Sequence, residues 1–335
     1  MASMKELRQE ARGPAVRLVV LAAVISLALV CLAAATTPAD AKTAGANGRI
    51  AFARFDPALQ DTVTYTANSD GSDVLRLLDG ASGAPHWSPD GAVVAVLTCA
   101  DPPICDTAAE IVNPDTGGVR VLQMPDPELF TACPVWSPDA RRLACEGNSE
   151  TDPSRNGIYT ISTAGGDLRQ ITSNPGGHDS PIDYSPDGGR ILFARIDPTR
   201  LTNLNQALFV ANLDGSDVQR ITPWGFSDDD GGWSPDGTRI VFEHLGRLYI
   251  VHPDGQGLTP ISLYVGNLTT SFPAFDAGWS PDGARIVFSL RIRTGPRATI
   301  EGIYTANVDG SDVRAVTTSP IRDDKSDWGA HPILP

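Results

Sequence analysis

WSPDG at Trp279–Gly283 is the stretch of sequence that decides the fold, because the chain repeats it at intervals of 46 to 49 residues. Identical copies stand at Trp87–Gly91 and Trp233–Gly237, and near copies stand at Trp136–Ala140 (WSPDA) and Tyr184–Gly188 (YSPDG). Within the motif, Pro fixes φ at the second turn position, Asp bonds nearby backbone and Gly accepts a positive φ. A short apolar run follows each copy, so the motif predicts a tight turn between two antiparallel strands.

A second motif alternates with the first. The sequence reads ANSDGSDV at Ala67–Val74, ANLDGSDV at Ala211–Val218 and ANVDGSDV at Ala306–Val313, with looser copies elsewhere. An Asp-Gly pair between apolar stretches is a strong hairpin signal. One unit therefore holds two hairpins, or four strands, in about 48 residues, which is the size and content of a propeller blade.

The two ends of the repeat array complement each other. The first unit opens at Gly48–Phe52 without a preceding Trp, and the last ends at Asp327–Gly329 with a Trp but no following strand. Pairing the C-terminal strand with the first blade would close the ring and remove its edge strands. The sequence therefore predicts an all-β, six-bladed propeller of four-stranded blades over residues 48–335, expected to be a monomer.

These repeats resemble the WD40-like repeats of the TolB-type six-bladed propellers, and the resemblance covers nearly all of residues 48–335. It implies the fold and, more loosely, a binding role in the cell envelope. TolB proteins carry an additional α/β domain before the propeller, through which they contact the Tol machinery. Because the first blade starts at Gly48, we expect that domain to be missing and do not transfer a role in that machinery.

The N-terminus indicates export. Basic residues precede an uncharged run over 18–35, and Ala39-Asp40-Ala41 offers a small-residue cleavage site, so residues 1–41 are interpreted as a secretory signal peptide. An uncleaved membrane anchor over 18–35 is the alternative, since 18 residues just reach spanning length. A short linker, 42–47, then leads to the propeller, and we expect a periplasmic, envelope-associated or secreted protein.

Four cysteines follow the leader, and an even number in an exported chain favours disulfides. If the hairpin turns at Pro138-Asp139, Cys133 stands opposite Cys145, within bridging distance. Cys99 and Cys105 would then form the second disulfide. Four free thiols or a zinc site are the alternatives, and the spacing matches no ordinary zinc pattern.

The net charge of −14 excludes some partners. Such a surface would repel nucleic acid and anionic lipid. We therefore expect no nucleic-acid partner, and membrane association only through an uncleaved N-terminal segment.

Candidate binding residues lie just before the repeat aromatic, because the strand that leads to it is the innermost strand of a propeller blade. Four consecutive blades are acidic there, which predicts an anionic funnel for a cation, a cationic peptide or another ligand. The candidates at this channel mouth are His178, Asp179, Asp183, Asp228, Asp229, Asp276, Asp323, Asp327 and His331.

Asp179, Asp228 and Asp323 are the candidate metal ligands among them, because each stands five residues before its aromatic landmark. Oxygen-rich clusters suit Ca²⁺, so calcium is the one ion expected, although no cofactor is required. The alternative is that these Asp residues cap turns and remain solvated.

Two classes of function stay open. No Gly-x-Ser-x-Gly elbow, His-x-x-x-His or Cys-x-x-Cys signature occurs, so no catalytic residue is assigned. The favoured hypothesis is a non-enzymatic binding module that recognises a protein or glycan through a propeller face or channel mouth. The alternative is an exported carbohydrate-active enzyme, a metal-assisted polysaccharide lyase or hydrolase, with histidines around a channel metal. Propellers host both, so the fold alone does not choose.

Overall fold

The computed structural model describes residues 45–98, 107–197, 199, 206–224, 228–264, 273–293, 299–318 and 320–332. Every described residue belongs to one compact unit, Asp40–Pro335. The predicted leader and the Cys99–Cys105 pair lie outside the described residues. Within those residues, no helix has the length and apolar character needed to cross a membrane.

The described chain is built from twenty-four strands and one 3-10 turn at Pro153–Arg155. The first seven strands are β1 (Ile50–Asp56), β2 (Asp61–Ala67), β3 (Leu75–Arg76), β4 (Gly83–Trp87), β5 (Val94–Leu97), β6 (Thr107–Val112) and β7 (Val119–Gln123). The next eight are β8 (Phe130–Trp136), β9 (Arg142–Asn148), β10 (Gly157–Ser162), β11 (Arg169–Gln170), β12 (His178–Tyr184), β13 (Arg190–Ile196), β14 (Gln206–Asn212) and β15 (Gln219–Arg220). The remaining strands are β16 (Asp228–Trp233), β17 (Ile240–His244), β18 (Arg247–Val251), β19 (Thr259–Pro260), β20 (Ala274–Trp279), β21 (Arg285–Arg293), β22 (Thr299–Asn307), β23 (Arg314–Ala315) and β24 (Asp323–Trp328).

The strands form six antiparallel, four-stranded sheets, which are the six blades of a propeller. Blade 1 is β24-β1-β2-β3, and blades 2 to 6 are the consecutive quartets β4–β7, β8–β11, β12–β15, β16–β19 and β20–β23. The last strand of the chain is thus the inner strand of the first blade, with Ile50 opposite Trp328. The predicted six-bladed architecture and its closure by the C-terminal strand are confirmed.

The repeated pentapeptide builds the same turn five times. In each copy the Ser hydroxyl donates to the Asp carboxylate two residues on, at 2.6 to 2.7 Å. The fifth residue needs a positive φ, which Gly supplies in four copies at 68° to 71°; Ala140 adopts 57° in the WSPDA copy. Ala bears a Cβ that disfavours this region, so Ala140 is held there by the surrounding hairpin.

The aromatic landmark fills the space between neighbouring blades. Trp233, only 1% exposed, packs against Leu192 and Ala194 of blade 4 and against Ile240 of its own blade. Full burial of a large apolar side chain contributes roughly 2–3 kcal/mol. Because the landmark recurs in every blade, the hydrophobic core is a ring of similar clusters.

Cys133 and Cys145 form the predicted disulfide, which links β8 and β9. The register behind that prediction was wrong by one residue at the turn, since Trp136 pairs with Leu143 rather than Arg142. A β-bulge between Ala132 and Val135 shifts the register back, which leaves Cys133 close to its partner.

The strand directions give the propeller two different faces. The WSPDG-type turns and the Asp-Gly turns lie at one end of the blades, which we call the turn face. The inner strands begin at the opposite end, which we call the loop face, where His178 at the start of β12 pairs with Ile196 at the end of β13. The connections from one blade to the next reach the loop face.

Candidate functional site

A cavity of about 270 Å³ occupies the central channel, and all six inner strands contribute to its wall. Five carboxylates and one ammonium line it: Glu146, Asp183, Asp230, Asp276, Asp327 and Lys325. The wall of the channel is therefore rich in carboxylates; Asp183, Asp276 and Asp327 are among the predicted candidates, and Glu146 and Asp230 are not.

A bulge in each inner strand positions the residues of this cavity. The register of every inner strand shifts by one residue within the four positions that precede the aromatic landmark. At the bulge, Ala84, Asp230, Asp276 and Lys325 have positive φ values of 39° to 53°. Non-glycine residues in this region are strained, and such strain persists only where the surrounding structure enforces it.

Lys325 lies between two of the channel carboxylates. Its Nζ is 3.1 Å from Asp230 Oδ2 and 2.9 Å from Asp276 Oδ1. Burial opposes the charged ammonium, but the two carboxylates outweigh it and raise the pKa of Lys325. Burial likewise opposes ionisation of Asp276, yet the charge of Lys325 and its hydrogen bonds hold the pKa of that carboxyl below its ordinary value. Lys325 and Asp276 are therefore both charged at neutral pH.

Three channel carboxylates tie one blade to the next. Asp183 of blade 4 accepts from the backbone N–H of Trp233 at 2.9 Å. Asp327 of blade 1 accepts from the backbone N–H of Trp87 at 2.7 Å. Asp276 of blade 6 accepts from the backbone N–H of Lys325 at 3.0 Å. A carboxylate that accepts from a buried backbone N–H contributes more than a neutral acceptor would, so these residues also serve closure of the ring.

Asp179 and Asp323, two of the three candidate calcium ligands, do not line the cavity. Each is fully buried at the start of its inner strand and forms a bidentate ion pair within its own blade, Asp179 with Arg195 and Asp323 with Arg54. Both oxygens of Asp179 also accept from Thr172 or Asn174. These carboxylates have little capacity left for an ion.

The side chains of Asp228 and Asp229 lie outside what the structure describes, so calcium binding stays a prediction. Among the described residues, no group of three or more His, Cys, Asp and Glu side chains is placed to hold a metal ion.

His178 lies at the loop face, where blades 3 and 4 meet. Its ring nitrogens are 3.1 Å from Glu146 Oε2 and 3.2 Å from Asn148 Oδ1, both on β9. Ser180 donates to the same Glu146 oxygen at 3.2 Å. This cluster at the edge of the cavity joins two blades through polar contacts that the sequence did not predict.

His331 was expected near the channel mouth, but the structure places it at the turn face. Its ring stacks on Trp87 with 4.9 Å between centroids, and Nδ1 is 2.8 Å from the carbonyl oxygen of Gly91. Only 4% of the residue is exposed. Its position therefore points to a packing role between blades 1 and 2.

Glu146, Asp230 and Lys325 line the channel but were not predicted as binding residues from the sequence. The sequence did contain one signal for Lys325, because Lys42 and Lys325 are the only lysines that follow the predicted leader. Glu146 stands on the second strand of its blade, where no landmark marks the channel.

Sequence comparison relates the chain to a curated protein but to no family profile. No protein-family profile matches the chain. The uncharacterized protein Atu1656 of Agrobacterium fabrum is 29% identical over 191 residues, which is 56% of this chain and 60% of that protein. The chain thus spans less than two thirds of the length of this curated relative.

Among solved structures, TolB from Acinetobacter baumannii superposes with a TM-score of 0.64 at 20% identity, over 84% of this chain and 66% of that one. A putative TolB from Agrobacterium tumefaciens gives 0.58 at 17% identity, over 85% and 93%. An oligogalacturonate lyase in complex with manganese gives 0.51 at 16% identity, over 77% and 71%. At these identities the likeness establishes a TolB-like propeller fold.

Proposed function

We propose that this chain is an exported, non-enzymatic binding module of the cell envelope that recognises a basic segment of a protein partner at the loop-face mouth of its channel. The observation that carries the proposal is the charge of the cavity, where five carboxylates face one ammonium. An anionic cleft with low-dielectric walls attracts cationic ligands and speeds their association.

Lys325 supports this proposal because its own ammonium already binds to carboxylates of the channel, as the cationic side chain of a partner would. It holds its ammonium within 3.1 Å of two carboxylates from two other blades. A lysine or arginine of a partner would meet the same chemistry at Glu146 and Asp327, which also line the cavity. Described connections between strands, such as residues 149–156 and 171–177, lie at the loop face, and binding residues concentrate in such connections on a rigid scaffold.

Export rests on three supporting features. The predicted leader ends in a small-residue site, and the Cys133–Cys145 disulfide suits an oxidising compartment. The TolB-like fold is the third, because the resemblance implies the envelope. We further propose a monomer, since ring closure pairs the edge strands of the first blade within one chain.

A polysaccharide lyase or hydrolase is the second candidate, favoured by the His178–Glu146 contact at the cavity edge and by the fold shared with an oligogalacturonate lyase. The charge of the cavity opposes a polyuronate substrate, because uronate carboxylates would meet five like charges. A neutral glycan would not meet that repulsion.

The test is calorimetric titration of residues 42–335 with hexalysine, hexaglutamate and oligogalacturonate, the last with and without Mn²⁺. We expect hexalysine alone to bind, with affinity that falls as salt is added. Lys325→Asn should bind hexalysine about tenfold more tightly because it removes the competing ammonium beside Asp230 and Asp276, and Asn tolerates the positive φ. Asp230→Asn should weaken binding.

Asp309→Asn is the matched control, because it removes the same charge from an exposed turn outside the cavity. Equal losses for Asp309→Asn and Asp230→Asn would reduce the effect to net charge and contradict a channel site. Release of unsaturated products from oligogalacturonate would overturn the proposal in favour of the lyase.

A further inference from the structure

One position of the repeat behaves differently in blade 2. It is the residue at the start of the second strand of each blade or directly before it, and it is Arg in five blades and Val in one. The six residues in blade order are Arg49, Val93, Arg142, Arg190, Arg239 and Arg285.

In blades 1, 3 and 6 this arginine is held inside its own blade. Arg49 donates to Thr66 Oγ1 at 3.1 Å and forms an ion pair of 2.6 Å with Asp73. Arg142 and Arg285 repeat the arrangement, with Thr160 and Asp167 and with Thr305 and Asp312. Each of these blades thus carries a matched threonine and aspartate for its guanidinium.

In blades 4 and 5 the arginine lies over the landmark Trp of the next blade. Arg190 is 4.8 Å from the ring centroid of Trp233, and Arg239 is 4.8 Å from that of Trp279. Each guanidinium also neighbours the turn Asp of its own blade, Asp187 or Asp236. Hydrogen bonds from Ser185 and Ser234 chiefly lower the pKa of those carboxyls, and the arginine charge adds to the effect.

Blade 2 lacks both halves of these arrangements. Val93 takes the place of the arginine, and Gly118 stands where blade 1 has Asp73. A cavity of about 370 Å³ opens there at the turn face, and both residues line it. Its wall also contains Trp136 of blade 3 and the exposed Asp90, so the ring and the carboxylate that flank Arg239 in blade 5 have counterparts here.

We propose that this cavity, the Trp136 pocket, binds the guanidinium of an arginine side chain from a partner protein. A guanidinium is planar and weakly hydrated, so it stacks on an indole better than an ammonium does. The occupant is indicated by the chain itself, because Arg190 and Arg239 fill the equivalent space at two other blade boundaries. This site lies at the turn face and does not depend on the channel proposal.

Arg120 is the one basic group among the described residues that line the Trp136 pocket. Its Nη1 donates to the carbonyl oxygen of Thr163 at 2.7 Å, which ties it to the turn of blade 3. Among the described residues no arginine or lysine stacks on Trp136, and its mostly buried side chain forms part of the pocket wall. Asp90 balances the charge of Arg120 and provides the carboxylate for that guest.

The test is NMR titration with a capped Gly-Arg-Gly peptide, read at the indole N–H resonance of Trp136. This N–H donates to the carbonyl oxygen of His86 at 3.0 Å, and Trp136→Phe identifies its signal. We expect saturable shifts with a Kd of about millimolar, which is typical of a single side chain. The Gly-Lys-Gly peptide should bind at least about threefold more weakly, and the citrulline peptide should not bind.

Three variants sharpen the test. Val93→Arg should fill the pocket from within and abolish binding, and Asp90→Asn should weaken binding about threefold or more. Arg239→Val should create a second site, with new shifts at the indole N–H of Trp279, which donates to Gly232 O at 3.0 Å. If Val93→Arg does not fold, Asp90→Asn and Arg239→Val decide alone.

Unmoved Trp136 resonances in the folded wild type would overturn the proposal. So would equal binding of the citrulline peptide, which would indicate a site without charge recognition.

Discussion

The boundary between blades 2 and 3 and the boundary between blades 5 and 6 are built from the same repeat but end in different states. In both, the landmark indole donates to the backbone carbonyl just before the preceding landmark, from Trp136 to His86 and from Trp279 to Gly232, at 3.0 Å each. Arg239 covers the ring at the second boundary, whereas Val93 leaves a cavity beside the ring at the first.

This difference separates what the repeat needs for folding from what it leaves available for binding. The indole hydrogen bond and the apolar cluster are present at both boundaries, so they suffice to join two blades. The guanidinium is an addition, worth about 1 kcal/mol where it is partly exposed. Losing it at one boundary costs the fold little and creates a shaped, partly apolar pocket.

The largest expected effect on stability comes from Arg49 of blade 1, which is buried within its own blade and does not cover a landmark ring. Arg49→Met should lower the free energy of unfolding by about 2–3 kcal/mol, because it leaves the buried Thr66 and Asn68 without their donor, while Asp73 stays partly solvated. Chemical denaturation measures the loss. A loss no greater than that of Arg239→Val would show that buried and stacked arginines contribute alike, which would contradict the distinction drawn between them.

Much of the fold could be predicted because short sequence signals within each repeat specify its strands and turns. Turn residues, apolar runs and a constant interval gave the blades, their number and the closure through Trp328. The Cys133–Cys145 pair also followed, although the bulge that corrects its register left no sign in the sequence. Bulges depend on how the inner strands curve around the channel, which is a property of the whole ring.

The candidate sites were predicted less well, because a carboxylate on an inner strand of the propeller can already be engaged in an ion pair within its own blade. Asp179 and Asp323 were expected to share an ion, but arginines from neighbouring strands take up both carboxylates. No spacing rule links Asp179 to Arg195 without the strand register. The Trp136 pocket was missed for the opposite reason. It arises because blade 2 lacks an arginine that the other five blades have, and this is visible only when the six blades are aligned position by position.

The second expected effect removes the stacked arginine at the filled boundary. Arg239→Val should lower the free energy of unfolding by about 1 kcal/mol, the loss of a partly exposed cation–π contact. The variant turns the blade 5–6 boundary into a copy of the blade 2–3 boundary. Thermal unfolding gives the loss, with Arg314→Val, which changes an exposed arginine on the outer strand of blade 6, as the matched control. Equal losses of stability in the two variants would show that stacking of Arg239 on Trp279 contributes nothing.

A smaller gain is expected from the reverse exchange. Val93→Arg should raise the free energy of unfolding by about 0.5 kcal/mol, since the new guanidinium gains Trp136 and Asp90 but meets the charge of Arg120. Val93→Lys is the matched variant with the same charge and poorer stacking. A gain for Lys at least as large as that for Arg would mean that the added charge, not stacking on the ring, sets the effect.

The smallest expected effect is the pH dependence of the Arg239→Val loss. Hydrogen bonds from Ser234 and Thr238, together with the charge of Arg239, hold the pKa of Asp236 below its ordinary value. A lowered carboxyl pKa contributes stability that is complete above the unfolded pKa, near 4, and is lost as the pH falls through the folded value. The part of that stability due to Arg239 should therefore vanish once Asp236 is protonated, so the Arg239→Val loss should be smaller near pH 2 than at about pH 7. Denaturant titration of both proteins at the two pH values measures this, with Arg239→Val/Asp236→Asn as the control whose loss relative to Asp236→Asn should not change with pH. An Arg239→Val loss that is constant with pH would assign the whole contribution to the Trp279 ring and none to the carboxylate.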